Sequence, residues 1–355
     1  MERAGQVELV FSGGTARTGN HVNLSAVRTE GEHLWVAGDE TATIERLVLD
    51  SPSAPTRADG ERSFVLADVV DLPGPPHEEA DIEGIARSAG WLWAIGSHSL
   101  ARKQAKPQHS IEKAVKRLAK LKRQANRYVI ARLAVEVGTD GRPEPVRVTA
   151  DGRHSALVGG PGSENLADLL RDDEHLAPFL AIPSKDNGLD VEGLAAHGDS
   201  LYVGLRGPVL RGWAVVLEVL PEPDPADPAR LALGAWGDGA RYRKHFLNLG
   251  GLGVRDLCPD GADLLVLAGP SMALSGPVRV YRWHGALAGR TGRLVRGEEI
   301  TLETDLPHGD GVDHAEGIAL LEPGDGPGAR LLVVYDSPSP ARRPTPHSVL
   351  ADRMH

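Results

Sequence analysis

Residues 187–208, NGLDVEGLAAHGDSLYVGLRGP, contain the pattern that decides the fold. They predict a short strand (DVEGLA), a polar turn, and an alternating strand (LYVGLR) that ends in Gly-Pro. The same pattern recurs at 81–99 and 314–338, and weaker copies lie at 23–40 and 253–271. A repeat of roughly sixty residues, each copy with several short strands, is typical of radial β-architectures.

The repeat spans almost the whole chain and predicts one all-β domain over residues 1–355, a single β-propeller. Its copies begin at residues 23, 81, 190, 253 and 314, which indicates five blades. The interval after residue 81 is long enough to hold a sixth blade, so six is the alternative. Val7 to Phe11 is a β-prone run without a local partner, and we expect it to complete the last blade.

Two helical insertions account for most of that long interval. The first, at about 101–126, contains a stretch over 110–125 whose apolar positions fall on one helical face. The second, at about 160–180 within an inter-blade segment of 155–187, contains SENLADLLRDD with Ser163 as its expected N-cap. Both leave the repeats from the same rim, so we expect them on one face of the propeller.

The bulk composition disfavours several classes of partner. The formal net charge of −10 argues against nucleic-acid binding by the whole surface. The first residues lack a signal-peptide pattern and no apolar run is long enough to cross a bilayer, so we expect no membrane partner. Cys258 is the single cysteine, which excludes an internal disulfide. These features predict a cytoplasmic protein and leave its oligomeric state open.

The first insertion is strongly basic. Residues 101–127 hold ten Lys/Arg and one acidic residue, so they carry +9, and the rest of the chain carries −19. One interpretation is a solvated helix packed on the rim by Ile111, Val115 and Leu118. A second is a cationic lid over a phosphate-bearing ligand. A third is a nucleic-acid contact, which ranks last because base-stacking aromatic residues are missing.

Polar side chains of the repeats are expected to meet at one end of the axis. Adjacent strands of a blade are antiparallel, so the start of the first strand lies beside the end of the second. The Asp-x-Glu pairs open first strands, whereas GDE, GSHS, GLRGP, AGPS and YDSP end second strands. Ligand sites are common in the mouths of closed barrels. We therefore place the candidate site at the mouth of the propeller axis.

Alignment of the five units places five residues at equivalent positions: Ser25, Glu83, Glu192, Arg255 and Glu316. Carboxylates that face one another near an axis repel and raise each other's pKa. A divalent cation with hard oxygen ligands, calcium or magnesium, would relieve that repulsion. The predicted metal ligands are Glu83, Asp190, Glu192 and Glu316.

The other candidate residues are assigned by side-chain chemistry. An arginine can neutralise an anionic substrate, and an imidazole can move a proton. The catalytic candidates are His98, Glu192, Arg206 and Arg255. The candidates for substrate contact are Asp81, Ser97, Arg127, Lys244, His245, His314 and Asp336.

Each of these residues also has a purely structural interpretation. Repeated acids in such folds can bond backbone N–H groups of a neighbouring blade and hold the ring closed. Glu192, Arg255 and Glu316 could instead form an inter-blade ion-pair chain. His98 and His314 could be hydrogen-bonded rim histidines. The sequence leaves the structural and functional interpretations open.

Four stretches carry a resemblance to a known family: DIEGIA…GSHS…NRYVIARL, NGLDVEGL…GLRGPVLRGWAVVLEV, YRKHFLNLGGLGVRDLC and LAGPSM…GPVRVYRW. They resemble the bacterial family named domain of unknown function 3616, over nearly the whole chain. The Asp-x-Glu-Gly strand is more distantly similar to the esterase-like phytase and SdiA-regulated propellers. The near family implies no activity, and the distant ones imply phosphoester chemistry or calcium binding.

Two functions are compatible with these features. The first is a metal-assisted hydrolase of a phosphoester or similar small anionic molecule, in which the ion acidifies a bound water. The second is a non-catalytic module that binds a small anion or a protein partner. The sequence has no Walker loop, HExxH or paired CxxC. Glycine–proline turns at 159–165 and 323–330 are weaker candidates for a phosphate cradle.

Overall fold

The computed structural model describes residues 2–288, 293–322 and 330–355, so most of the turn predicted at 323–330 lies outside the described residues. The helices are α1 (Gly13–Thr18), α2 (Leu66–Val69), α3 (Ile111–Leu118) and α4 (Leu166–Leu169). The strands are β1 (Arg3–Val10), β2 (Leu24–Glu30), β3 (His33–Gly38), β4 (Thr43–Leu49), β5 (Arg57–Val65), β6 (Ile82–Ser88), β7 (Trp91–Gly96), β8 (Ala101–Arg102), β9 (Leu121–Lys122), β10 (Ile130–Val137), β11 (Pro143–Val146), β12 (Ala156–Val158), β13 (Asp190–His197), β14 (Ser200–Leu210), β15 (Trp213–Val219), β16 (Pro221–Asp224), β17 (Asp227–Leu233), β18 (Tyr242–Asn248), β19 (Gly253–Asp260), β20 (Asp263–Gly269), β21 (Val278–Trp283), β22 (Leu294–Val295), β23 (Ile300–Leu306), β24 (His314–Leu320), β25 (Leu331–Asp336) and β26 (Ser348–Met354).

The sheets follow the sequence repeat. Going outward from the first strand of each unit, the orders are β2-β3-β4-β5, β6-β7-β10-β12, β13-β14-β15-β18, β19-β20-β21-β23 and β24-β25-β26-β1. Each first strand contacts the first strand of the next unit, and β24 contacts β2 again. The fold is therefore all-β, with a nearly closed arrangement of several sheets that is consistent with a propeller.

The N-terminal strand β1 joins the two ends of the described chain. It pairs antiparallel with β26, so that Val7 lies opposite Ala351. Its other edge pairs parallel with β5 of the first unit, with Leu9 opposite Ala58. This confirms that the N-terminal run completes the last unit, although the strand already begins at Arg3.

Apolar layers fill the space between neighbouring sheets. Trp35 packs with Ile85 and Leu133 between the first and second units, and Trp283 packs with Val216 between the third and fourth. Full burial of a large aliphatic side chain contributes about 1.5–3 kcal/mol. Strand residues alternate between the two faces, so each sheet is stabilised by both of its neighbours.

A buried ion pair spans the axis. Arg28 of β2 donates two hydrogen bonds, of 2.9 and 2.8 Å, to the two carboxylate oxygens of Asp256 on β19. The same guanidinium donates to the carbonyls of Leu194 (2.7 Å), Ile318 (2.8 Å) and Leu257. Arg28 therefore connects its own strand to the first strands of three other units.

The helix of the first insertion differs from its prediction. It ends at Leu118 instead of continuing towards residue 125, because the chain then returns as β9 to pair with β8. Ile111, Val115 and Leu118 are 86%, 62% and 46% exposed, so the prediction that they pack on the rim is wrong. Within the described residues, no helix is long and apolar enough to cross a bilayer.

The helix of the second insertion is only four residues long. Its N-cap is Asn165, whose side chain accepts the Asp168 N–H (3.1 Å) while the Asp168 carboxylate accepts the Asn165 N–H (3.3 Å). This is a capping box. Ser163 instead donates to the carbonyl of Gly160 (2.8 Å), so the prediction of Ser163 as the N-cap is wrong.

Replacement of Arg28 by methionine is expected to lower the free energy of unfolding by about 3–5 kcal/mol, because Asp256 then becomes a buried charge without its partner. Urea denaturation followed by tryptophan fluorescence measures this change. The matched control is Arg57→Met, since the ion pairs of Arg57 with Glu8 and Asp59 are exposed to solvent and contribute little to stability. Equal stability of the two variants would contradict the importance of the axial pair.

Candidate functional site

The residues at the aligned position share one irregularity of the sheet. In each first strand, the register against the second strand skips one residue, and the skipped residues are Ser25, Glu83, Glu192, Arg255 and Glu316. Such a β-bulge leaves the extra residue out of the ladder and re-aims its side chain. The structure therefore confirms that these five positions are equivalent.

The glycine that follows the acid lets neighbouring first strands approach closely. A Cβ on Gly84 would lie 2.7 Å from the Cβ of Leu194 on β13. A Cβ on Gly317 would lie 3.1 Å from the backbone nitrogen of Val27 on β2. Only a residue without a side chain fits these contacts. The Asp-x-Glu-Gly motif thus combines a packing position with the polar side chain before it.

The arginines and acids of three neighbouring units form a buried ion-pair chain. Arg206 lies 2.7 Å from Glu192, and the second Glu192 oxygen lies 3.4 Å from Nε of Arg255. Arg255 in turn donates to Glu316. Both arginines also donate to the carbonyl of Pro270, at 3.3 Å each. This confirms the inter-blade chain that the sequence offered as a structural interpretation.

Most of the predicted metal ligands already belong to this chain of ion pairs. Both oxygens of Glu192 face arginines, and Asp190 lies 3.6 Å from Arg206. Burial raises the pKa of Asp190 to about 7 although Arg206 opposes the shift. Of the four predicted ligands, Glu83 alone makes no ion pair with the described part of the chain. The predicted set therefore does not surround one point as a group of free carboxylates.

A different group of three acids makes only one ion pair among the described residues. Ligand oxygens of Asp39, Asp81 and Glu83 lie within 4.8 Å of one another. Arg127 pairs with Asp81 at 2.5 Å, whereas Asp39 and Glu83 have no ion-pair partner among the described residues. Burial, reinforced by Asp81, raises the pKa of Asp39 to about 7 and that of Glu83 well above its usual range. Three oxygen donors thus converge. Arg127 makes the one ion pair with them among the described residues, and Lys185 is a second positive charge in their surroundings.

A second group lies in the fifth unit, which adjoins the first unit. Ligand atoms of His314, Glu316 and Asp336 also lie within 4.8 Å of one another. Burial raises the pKa of Glu316 to about 8, although Arg255 opposes this. Burial lowers the pKa of His314, although Asp336 opposes this. An imidazole with a lowered pKa therefore lies beside a carboxyl group with a raised pKa.

A cavity of about 270 Å³ opens beside the second group, whose three residues all line it. Its charged and histidine lining is formed by Lys185, Arg206, Arg255, His308, His314, Glu316 and Asp336. Met272 and Leu274 form an apolar part of its wall. The cavity thus offers several cations next to an apolar surface.

Lys185 is the cavity residue that sequence reasoning missed. It lies in the 3₁₀ turn Ser184–Asp186 of the second insertion, just before β13. Burial and Arg206 would lower its pKa, but the nearby acids Glu316, Asp190 and Glu83 raise it on balance. The sequence could have identified Lys185, because the turn that precedes the first strand of a unit must lie at the mouth.

Several substrate-contact candidates do lie at the mouth. Arg127 bridges Asp81 and Glu79, and both contacts are ion pairs. Ser97 shares a 2.9 Å hydrogen bond with Ser99, and its N–H donates to the carbonyl of Asp81. These residues therefore support the acidic group from the second unit.

His98 lies apart from the axial acids. Its Nδ1 lies 2.8 Å from the carbonyl oxygen of Gly96, and its ring meets Tyr128 edge-on. Burial lowers its pKa to about 4. The imidazole contacts the second unit instead of the axial carboxylates, so its predicted place in the catalytic group is wrong.

Lys244 and His245 also lie away from the mouth. Both belong to β18, the fourth strand from the axis, about 14 Å from the first strand at the usual strand spacing. Lys244 pairs with Asp173 at 2.7 Å, and buried His245 lies 3.3 Å from Glu218. From the fourth strand they therefore contact Asp173 and Glu218 instead of the polar groups of the mouth.

The fold and the site together define an all-β, propeller-like protein with acids and arginines at one end of its axis. The chain belongs to the family of proteins of unknown function designated DUF3616, whose sequence profile matches residues 23–352. No curated protein sequence matches the chain.

Two solved structures show distant similarity to the chain. The glutaminyl cyclase of Myxococcus xanthus is 12% identical, with 100% of both chains covered and a TM-score of 0.38. The hydrazine synthase of Kuenenia stuttgartiensis is 9% identical, with 92% of this chain and 59% of that chain covered and a TM-score of 0.32. Similarity at this level carries no argument about chemistry.

The raised pKa of Glu83 gives a pH-dependent prediction for the metal-free protein. The folded state binds the Glu83 proton more tightly than the unfolded state does. The free energy of unfolding therefore decreases as the pH rises from the pKa in the unfolded state to the pKa in the folded state. Glu83→Gln cannot ionise, so we expect it to raise the Tm at pH 8.5 by roughly 1–3 °C and to change the Tm little at pH 5. Differential scanning calorimetry in EDTA measures both values.

The matched variant is Glu192→Gln. It weakens the ion pairs with Arg206 and Arg255 and should lower the Tm at both pH values. A lower Tm for Glu83→Gln at pH 8.5 would show that Glu83 already has a stabilising partner when ionised.

Proposed function

We propose that this protein is a metal-assisted hydrolase that acts on a small anionic ester, a phosphoester in the simplest case, at the mouth of its axis. We also infer that the ring is a single five-bladed domain over residues 1–355 and that both helical insertions lie on the side of the mouth. The observation that carries the proposal is a group of three acids, two of them without an ion pair among the described residues, near a cavity lined by cations.

The proposed metal ligands are Asp39, Asp81 and Glu83. Their carboxylate oxygens suit a hard divalent ion such as calcium or magnesium. Oδ1 of Asp39 is buried without a hydrogen-bond partner among the described residues, so the group has a free donor. This set replaces the predicted one because Arg206 and Arg255 already neutralise Asp190 and Glu192.

The cavity would hold the substrate. Lys185, Arg206 and Arg255 line it, and their N–H groups can donate charge-assisted hydrogen bonds to an anionic group. Met272 and Leu274 can receive an apolar part of the ester. A bound ion would lower the pKa of a water molecule.

Proton transfer would come from the second group instead of from His98. Glu316, with a pKa of about 8, is a carboxylic acid near neutral pH and can donate a proton to a leaving group. His314 is neutral there and can accept one. Both residues line the cavity.

The activity test uses p-nitrophenyl phosphate and bis(p-nitrophenyl) phosphate with calcium, magnesium or manganese. We expect an EDTA-sensitive release of nitrophenol that falls by about 100-fold or more in Asp39→Asn/Glu83→Gln, since this variant removes two of three ligands. The rate should rise from pH 6 to pH 8, because Asp39 must lose a proton near pH 7 before it binds metal.

The matched control is Asp199→Asn, a carboxylate in the exposed turn between β13 and β14. It should retain full activity. Turnover that is equal in the control and in the double variant would contradict the proposed ligand set. No turnover with any of the three ions would contradict the hydrolase.

The ion-pair chain favours one alternative, a non-catalytic module that binds a small anion or a protein partner. Arg206 and Arg255 are held by Glu192 and Pro270 and form a preorganised cationic surface without any metal. Calorimetry with pyrophosphate distinguishes the two functions. Metal-independent binding that is lost in Arg255→Met, without turnover, would support the binding module.

A further inference from the structure

The first insertion forms a separate basic hairpin, defined here as residues 101–124. Its strands β8 and β9 pair at their ends, with Ala101 opposite Lys122, and α3 lies between them. Arg102 anchors it to the second insertion through an ion pair with Asp186 at 2.7 Å. The hairpin is therefore attached to the protein at its base, and its helix lies at the far end.

The helix turns its apolar face to the solvent. Ile111, Val115 and Leu118 are spaced by four and three residues, and therefore lie on one face. All three are exposed, and so is Leu121 (45%). On the opposite face, Nε of Arg117 donates to the carbonyl of Gln104 within the hairpin (2.7 Å). Surface helices normally have the reverse orientation, with the apolar face inward.

These apolar residues form a concentrated patch. Four of the eleven exposed large apolar side chains in the described part of the chain fall within residues 111–121. Contiguous exposed apolar surface next to polar residues marks an interaction site. The patch therefore requires an occupant that accepts apolar side chains.

The hairpin that carries this patch is strongly cationic. The hairpin holds nine Lys/Arg and one acid, Glu112, so it carries +8 (nine minus one). Behind the helix is a cleft of about 420 Å³, whose cationic lining is Lys103, Lys113, Lys116, Arg117 and Lys120. The occupant must therefore be anionic as well as able to accept apolar groups.

The charge of the hairpin discriminates between occupants. Two copies that met hairpin to hairpin would place +8 against +8, and this repulsion disfavours self-association. A nucleic acid would use the charge but not the apolar face. An anionic bilayer uses both features, since apolar side chains enter the interface while lysine and arginine reach the phosphates. We propose that the basic hairpin docks the protein on anionic lipid membranes, a partner that the composition did not predict.

The test is co-sedimentation of the full chain with vesicles of phosphatidylcholine alone or with 30% phosphatidylglycerol. We expect binding to the anionic vesicles that is about tenfold or more tighter than to neutral ones and that falls about tenfold in 0.5 M NaCl. The triple variant Ile111→Ser/Val115→Ser/Leu118→Ser should lose about tenfold in binding. Its fold should be intact, because these side chains are exposed, and circular dichroism checks this.

The matched control replaces three other exposed apolar residues, Val137, Val148 and Leu302, by serine. It should bind anionic vesicles as the wild type does. Equal loss in both triple variants, or no binding to anionic vesicles, would overturn the proposal.

Two other occupants would also overturn it. One result would be a wild-type dimer in analytical ultracentrifugation that the hairpin variant converts to a monomer, which would assign the patch to a second copy. The other would be hairpin-dependent binding of an acidic amphipathic peptide while vesicles are not bound.

Discussion

The Arg28–Asp256 pair is the constraint on which the geometry of the axis depends. The two terminal nitrogens of the buried Arg28 guanidinium donate to Asp256 and to the backbone of three other first strands. Removal of either partner of such a buried pair would leave an uncompensated charge, which is strongly destabilising. The first strands must therefore keep one distance from the axis. Asp256 follows Arg255 in β19, so the same pair also fixes the bulge that aims Arg255 at the mouth.

The arginines are distributed unevenly around the mouth. Arg206 and Arg255 make ion pairs with the acids of the third and fifth units. In the group Asp39, Asp81 and Glu83, Arg127 makes the one ion pair among the described residues, and Lys185 acts on these acids without an ion pair. Electrostatic repulsion is thus concentrated around Glu83, and a cation bound there would relieve the most repulsion. Substitution of arginine for the repeated acid in the fourth unit creates this asymmetry. The imperfection of the repeat is what distinguishes the two sides of the site.

Much of the fold could be predicted from the sequence because it depends on periodicity. The repeated Asp-x-Glu-Gly strands identified the first strands, and their alignment identified all five bulged positions. The pairing within the site could not be predicted, since it depends on distances of a few ångströms between side chains of different units. Glu192 and Glu83 are equivalent in the repeat, yet only Glu192 meets arginines. Lys244 was assigned to the mouth by its charge, although it lies on the fourth strand of its unit and therefore away from the axis. The apolar stripe of α3 was recognised, but periodicity does not tell which way a stripe faces.

The pairing of β1 with β26 has a consequence for biosynthesis. β1 is made before β26, so the edge of β1 that pairs with β26 stays uncovered until β26 has left the ribosome. Until then the growing polypeptide carries an unpaired strand edge, the kind of surface that aggregates or recruits chaperones. Completion of this fold therefore waits for the synthesis of β26, whatever the speed at which the individual sheets form.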